Sequence, residues 1–264
     1  MNVSCHVVRE LVAPLKALGM GSFAGFTGVF DVAALAPHRA PVLRVRAVPL
    51  PDAPSGSLIL KIYELPGKGW RFLGRHSKAR REFTNAGILA RLGLPIARPI
   101  AWGEQRDRWG RLRQAFVVTG FLPDALTLED FIQRHCPAAG RPESGRLRAD
   151  LMRQVAGFVA RMHAGGFCHR DLFVRNILVS WTAPDAPCLW FIDCPRGGRP
   201  ALAGWRRQWR ISDLASLDKG AAGLLRRSER VRFLLLYLGK TRLDAGAREL
   251  IRAVQRYRRA RWGA

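Results

Sequence analysis

Acidic residues are scarce in this chain. Its 264 residues include 20 Asp and Glu against 44 Lys and Arg, a formal net charge of +24. That balance leaves little acidic surface for holding cationic ligands. It favours anionic partners instead: nucleic acid, an anionic membrane face, or a phosphorylated or carboxylated substrate. Long apolar runs are missing as well. No stretch approaches the roughly 18 apolar residues that cross a bilayer. Met1 to Gly21, which carries Arg9, Glu10 and Lys16, lacks the apolar segment and cleavage site of a secretory signal. Neither a membrane span nor a signal peptide is expected. The five cysteines (Cys5, Cys136, Cys168, Cys188, Cys194) form no C-x-x-C pair and are odd in number. Reduced thiols in a cytoplasmic protein fit them better than disulfides or a zinc site. No G-x-G-x-x-G is present. The glycine-rich stretch from Gly19 to Gly25 lies ahead of the first strand-like segment and reads as a surface turn.

What the chain does have is a folded composition, 48% apolar with 8 Trp and 13 Phe, and enough length for one large domain or two lobes. Its most specific pattern is His169-Arg170-Asp171-Leu172, followed by Asn176 and the apolar Ile177-Leu178-Val179. Turn-forming residues come next, then a second apolar run from Cys188 to Ile192 that ends at Asp193. Loop, strand, turn, strand and carboxylate predict a β-hairpin that returns Asp193 beside Asn176. Phosphoryl transfer needs a carboxylate to orient the attacking hydroxyl and take its proton. It also needs oxygen donors that hold magnesium against the phosphates. Asp171 is the candidate catalytic residue, and Asn176 and Asp193 are the candidate metal ligands. A helix cap, a turn and a strand end would account for these residues singly, but not for their joint spacing.

The elements around this motif follow an order. Val42 to Val48, Leu58 to Tyr63, Ile100 to Glu104 and Ala115 to Thr119 read as strands, and His76 to Leu92 as an amphipathic helix between them. Leu126 to Arg134, with Thr127 as N-cap, and Arg146 to Ala164 read as helices, the second leading into the His-Arg-Asp loop. The expected class is α+β, a bilobal protein-kinase-like fold. Residues 1–120 form a small antiparallel sheet lobe with one main helix, and 121–264 a larger, mainly helical lobe. Within that layout Lys61, in a Leu-Ile-Leu-Lys-Ile strand, would reach the α- and β-phosphates of ATP. Glu82, the only carboxylate between Glu64 and Glu104, would brace it. A solvent-facing lysine and an exposed helix acid are the competing readings. The apolar segment Val117 to Leu122, with Val118 and Phe121, is expected to line the adenine pocket. The phosphate-covering turn should fall near Pro51 to Ser57, where Gly56 is available.

Further matches lie in Leu18-Gly19-Met20-Gly21-Ser22-Phe23, Arg81-Glu82, Leu89 to Pro99, Ile192-Asp193 with the basic segment after it, and Arg210-Ile211-Ser212-Asp213-Leu214-Ala215-Ser216-Leu217. With these the chain resembles the bacterial lipopolysaccharide core kinase family (the Kdo kinase/WaaP group), from roughly Leu15 to Gly239. The resemblance implies ATP- and magnesium-dependent phosphorylation of a heptose or Kdo hydroxyl of the inner core, at the cytoplasmic face of the inner membrane. It implies an acidic glycolipid substrate, an anionic membrane surface as a second contact, and no specific nucleic-acid partner. It also gives Asp213 a structural role, bracing the catalytic loop. Two departures stand out. Asn176 sits where the family often has histidine, and Asp193 is followed by Cys194 and Pro195 where kinases commonly have Phe-Gly.

Three other readings fit less of the chain. A Ser/Thr protein kinase would have Lys-Pro where Phe173-Val174 stands, and Asp213 follows only twenty positions after Asp193 with no A-P-E between them. An aminoglycoside-type phosphotransferase would show His-Gly-Asp and an acidic acceptor surface. A non-catalytic basic protein that binds nucleic acid or membrane through a degenerate scaffold would exploit the charge, yet Lys61, Asp171, Asn176 and Asp193 are all intact. After residue 195 there are 18 Lys or Arg against 5 Asp or Glu. The helices expected there, Leu225 to Leu238 and Ala247 to Arg261, are candidates for contact with the membrane or an acidic substrate.

Overall fold

The computed structural model describes residues 1–28, 43–49, 57–136, 142–183 and 186–263. It divides into two compact units, Met1–Ile88 with Ala97–Pro123, and Leu89–Ile96 with Asp124–Ala264.

The first unit is built on an antiparallel sheet of β1 (Asn2–Val7), β2 (Leu43–Pro49), β3 (Ser57–Glu64), β4 (Pro99–Arg106) and β5 (Leu112–Gly120), in the order β1-β4-β5-β3-β2. Side chains of a strand alternate between faces, and β3 uses both. Leu58, Leu60 and Ile62 are buried on one face, while Lys61 and Tyr63 lie on the other. The register sets Leu60 opposite Val118 and Lys61 opposite Val117, so β5 is divided in the same way.

The Leu60 face is covered by α1 (Val12–Ala17) and α2 (Phe23–Gly28). Leu15, Met20, Phe23 and Phe26 pack there with Leu58, Leu60, Phe116 and Val118, and the rings of Phe26 and Phe116 stack with centroids 4.5 Å apart. The glycine-rich leader is the expected exposed turn at Gly19, Gly21 and Ser22, but it also sends Met20 and Phe23 into the core. Its glycines serve close approach: a Cβ on Gly25 would lie 2.0 Å from the carbonyl oxygen of Gly19. The strand β1 was not expected either. Residues 2–6 are all exposed and, among the described residues, pair only with β4, so this strand has no apolar alternation to mark it.

The Lys61 face receives α3 (Lys78–Arg91), through Ala79 and Phe83 against Tyr63, Leu112, Ala115 and Val117. Ser77 caps this helix, its Oγ accepting the amide of Arg80 at 3.0 Å. Gly103 on β4 tests the packing on the leader side. A Cβ there would sit 2.3 Å from Phe116 and 2.9 Å from Phe23, two aromatic rings inside a filled core. Gly103→Ala is expected to cost about 1–3 kcal/mol, seen as a lower Tm. An unchanged Tm would contradict this packing.

The second unit comprises β6 (Leu126–Thr127), α4 (Leu128–His135), α5 (Pro142–Ala164), β7 (Ile177–Ala183), β8 (Ala186–Phe191), α6 (Ala203–Ala221), α7 (Arg227–Leu238) and α8 (Ala245–Trp262). Thr127 does cap α4, its Oγ1 accepting the Asp130 amide at 3.1 Å. Leu151, Met152, Val155, Val159 and Met162 of α5 are buried, at the spacing of one helix face. The expected hairpin is present: β7 and β8 pair antiparallel, with Ile177 opposite Phe191. Among the described residues no helix is long and apolar enough to cross a membrane. The proposed phosphate-covering turn, including Gly56, lies outside the described residues except for Ser57, which opens β3.

Candidate active site

In the first unit, Lys61 and Glu82 meet. The Lys61 Nζ is 2.8 Å from Glu82 Oε1, with the two side chains 14% and 4% exposed. The other carboxylate oxygen, Oε2, accepts the hydroxyl of Tyr63 at 3.0 Å. Lys61 and Tyr63 are two residues apart on one strand, so they share a face and grip one carboxylate. A charge-assisted bond in so buried a setting is strong and geometrically exacting. It fixes the lysine ammonium at one place on the sheet.

The residues expected to line an adenine pocket are divided. Val118 is 1% exposed and packs into the leader-side cluster, on the face opposite Lys61. Its register neighbour Val117 and the alternate Thr119 share the lysine's face. Strand alternation separates Val118 from Lys61, a phase that reading Val117 to Leu122 as one apolar segment overlooks. Phe121 is half-buried at the end of β5, where its amide donates to the carbonyl of Ser57 at 3.2 Å.

In the second unit, the loop from His169 to Asn176 is fixed by its own backbone. The Asp171 carbonyl accepts the Asn176 side-chain Nδ2–H at 2.7 Å and the Phe173 amide at 2.9 Å. The Ile192 amide donates to the Asn176 carbonyl at 3.0 Å, which brings the end of β8, and Asp193 after it, to Asn176. The structure thus brings Asp171, Asn176 and Asp193 to one end of the hairpin. Asp171 and Asp193 are half-buried and Asn176 is buried. The Asn176 amide nitrogen is committed to the Asp171 carbonyl, which leaves its oxygen as the atom that could face a cation. An amide oxygen and a carboxylate are the hard donors that magnesium takes, and the donor set fits that ion.

Two residues of this region have left-handed backbones without being glycine: Arg170, φ 63°, and Asp193, φ 64°. Such conformations cost free energy and persist where the surroundings impose them. At Arg170 the cause is Asp213, which is fully buried. Its Oδ1 accepts the Arg170 amide at 2.7 Å and its Oδ2 the His169 amide at 2.8 Å. His163 completes the brace, with Nε2 3.2 Å from Asp213 Oδ2 and Nδ1 2.9 Å from the Tyr237 hydroxyl. A carboxylate can only accept, so His163 Nε2 carries a proton toward Asp213. The guanidinium of Arg170 lies 4.1 Å over the Trp209 ring.

His169 is inward-facing and neutral. Burial lowers its pKa, and its Nε2, 3.1 Å from the Ile192 carbonyl oxygen, must donate. His163, Cys168 and Asp213 also cluster within 4.8 Å. Burial, and next the Asp213 carboxylate, push the Cys168 thiol up to about 12, so it stays protonated. Asp213 and His163 already spend their polar atoms on hydrogen bonds, and the cluster acts as a brace.

Sequence reading missed Tyr63, His163 and Tyr237. Two-residue spacing from Lys61 could have found Tyr63, but nothing local distinguishes His163 within α5.

The sequence model of the lipopolysaccharide kinase (Kdo/WaaP) family matches residues 68–237, a stretch that holds Glu82, Asp171, Asn176, Asp193 and Asp213 and begins after Lys61. The lipopolysaccharide core heptose(I) kinase WaaP of Pseudomonas aeruginosa is 32% identical over 164 residues, 60% of this chain and 59% of that one. The 3-deoxy-D-manno-octulosonic acid kinase of Haemophilus influenzae is 28% identical over 131 residues, 48% of this chain and 50% of that one. The matched stretch thus spans half to six tenths of these relatives. A solved structure of WaaP in complex with acyl carrier protein aligns over 99% of this chain and 100% of that one, with TM-score 0.65 and 24% identity, which establishes the shared fold.

Proposed function

The chain belongs to the lipopolysaccharide kinase (Kdo/WaaP) family, and from that premise we propose that it transfers the γ-phosphoryl group of ATP to a sugar hydroxyl, on heptose or Kdo, of the lipopolysaccharide inner core. The observation that carries this reading is the loop itself. Asp171 has its backbone locked by Asn176 and Phe173, immediately after the His169 and Arg170 amides held by Asp213. A carboxylate fixed by its main chain can orient a hydroxyl and take its proton without adjusting the loop.

In this reading Lys61, held by Glu82 and Tyr63, contacts the α- and β-phosphates. Its ammonium neutralises charge there and sets the nucleotide in one position. Val117 and Thr119, on the same face of β5, are better placed for the adenine than Val118. Asn176 and Asp193 would hold magnesium, which would neutralise charge on the transferring phosphates. Asp171 draws the proton from the acceptor hydroxyl as that oxygen attacks. The cationic character of the chain suits an acceptor that already carries carboxylates and phosphates, and a position on the anionic inner face of the inner membrane.

Acyl carrier protein is a candidate partner, because WaaP has been solved in complex with it. The second unit here has an apolar cavity lined by Leu151, Val155, Leu214, Leu217, Leu225 and Leu234, chemistry that suits an acyl chain. The test is to incubate the chain with ATP, magnesium and intact or delipidated core acceptors, with and without acyl carrier protein, and to read phosphate addition by mass. Addition of one phosphate to a core sugar is expected. ATP left unconsumed with every acceptor would overturn the reading.

A further inference from the structure

We propose that the first unit carries a membrane-docking patch, formed by Trp70, Leu73 and Trp109 with the surrounding arginines, which seats on anionic phospholipid headgroups. The proposal rests on the function proposed above and places its membrane contact on a defined surface. The three side chains are 57%, 48% and 63% exposed, large apolar groups held in water. They lie on two neighbouring loops, one before α3 and one between β4 and β5. Leu73 is 3.7 Å from where a Cβ on Gly110 would stand, so the loops are in contact.

These loops are firmly tied down. The Arg106 guanidinium uses all five of its donors. Nη1 reaches the carbonyls of Phe72 and Gly110, each at 3.0 Å, Nη2 that of Arg75 at 2.8 Å and Glu104 at 2.9 Å, and Nε Glu104 at 3.2 Å. Asp107 Oδ1 accepts the amides of Trp109 and Arg111 at 2.9 and 3.0 Å. The backbone at Gly69 is pressed onto Leu112, where a Cβ would meet the carbonyl at 1.9 Å. Two tryptophans and a leucine are thus displayed in water on a support held by hydrogen bonds.

The charge around them selects the occupant. Lys68, Arg71, Arg75, Arg108, Arg111 and Arg113 are all exposed, and Asp107 is the only acid in residues 65–75 and 105–113. The Arg71 and Arg108 guanidinium groups lie 5.6 and 4.8 Å over the rings of Trp70 and Trp109. Aromatic rings at headgroup depth beside cations that meet lipid phosphates are the chemistry of an interfacial anchor. Nucleic acid would use the cations but has no use for Leu73. The arginines after residue 195 are in part committed elsewhere: Arg230 and Arg258 pair with Asp218, and Arg207 with Glu249.

The test is co-sedimentation of the full chain with phosphatidylglycerol–phosphatidylcholine vesicles. The double variant Trp70→Ser/Trp109→Ser is expected to lose about tenfold in partitioning for each tryptophan, with Tm unchanged. The control Trp205→Ser, at another exposed tryptophan (60%), is expected to bind as the unaltered chain does. Unchanged binding by the double variant, or a loss that follows Trp205 instead, overturns the proposal. So does a double variant that loses duplex DNA binding to the same degree. Phosphate transfer to a water-soluble, delipidated acceptor is measured in parallel and is expected to be equal in all variants. Failure of transfer in every protein would refute the kinase reading and leave the vesicle result to judge the patch.

Discussion

Asp171→Asn is expected to lower kcat for phosphate transfer about 10³-fold and to leave Tm within error of the unaltered chain. The two halves of that expectation come from different atoms. Proton acceptance belongs to the carboxylate, which Asn replaces with a group of the same shape that cannot take a proton. Loop geometry belongs to the Asp171 carbonyl, which holds the Asn176 side chain and the Phe173 amide and survives the substitution. KM for ATP should change little, because the side chain is assigned to the acceptor hydroxyl. Single-turnover phosphate transfer and a thermal melt measure both. A variant with undiminished kcat would remove Asp171 from the chemistry.

Asp213→Asn is expected to destabilise the second unit by about 2–4 kcal/mol, because one oxygen that accepts a buried amide becomes a donor facing a donor. At about 2–4 °C per kcal/mol for a unit of this size, Tm should fall by several degrees. The substitution removes a partner from either the Arg170 amide or the His169 and His163 pair. Arg170 has a left-handed backbone, and without its restraint the residue before Asp171 can relax to an ordinary conformation. The rate should therefore fall as well, by more than the loss of folded protein explains. Equal Tm and equal kcat would show that the loop is held by something else.

Asp171 was visible in the sequence for a physical reason, whereas Asp213 entered only through the family resemblance. The hairpin from Ile177 to Phe191 is an apolar–turn–apolar pattern of local pairings, and Thr127 ahead of an apolar helix is a cap signal that depends on three residues. Lys61 and Glu82 were legible because only one carboxylate lay within reach. Features fixed by distant contacts were not legible. Exposed β1 belongs to the sheet solely through β4, and the leader's glycines signal a turn until Phe116 and Leu60 are seen beneath them. Val118 could not be assigned to a face until the register with Leu60 was known. The brace from Tyr237 through His163 to Asp213 joins α7, α5 and α6, three helices whose meeting no local pattern records.

Arg106 has a consequence for how this protein can vary. Its partner Glu104 also accepts the Ser77 amide at 2.8 Å, and Ser77 caps the helix that carries Glu82. One ion pair therefore supports both the outer loops and the first turn of the helix behind the lysine clamp. A lysine at 106 would keep the charge but could not span three carbonyls and a carboxylate with a planar fork. A change at a loop tip leaves the lysine clamp alone, while any change at this one guanidinium is felt twice.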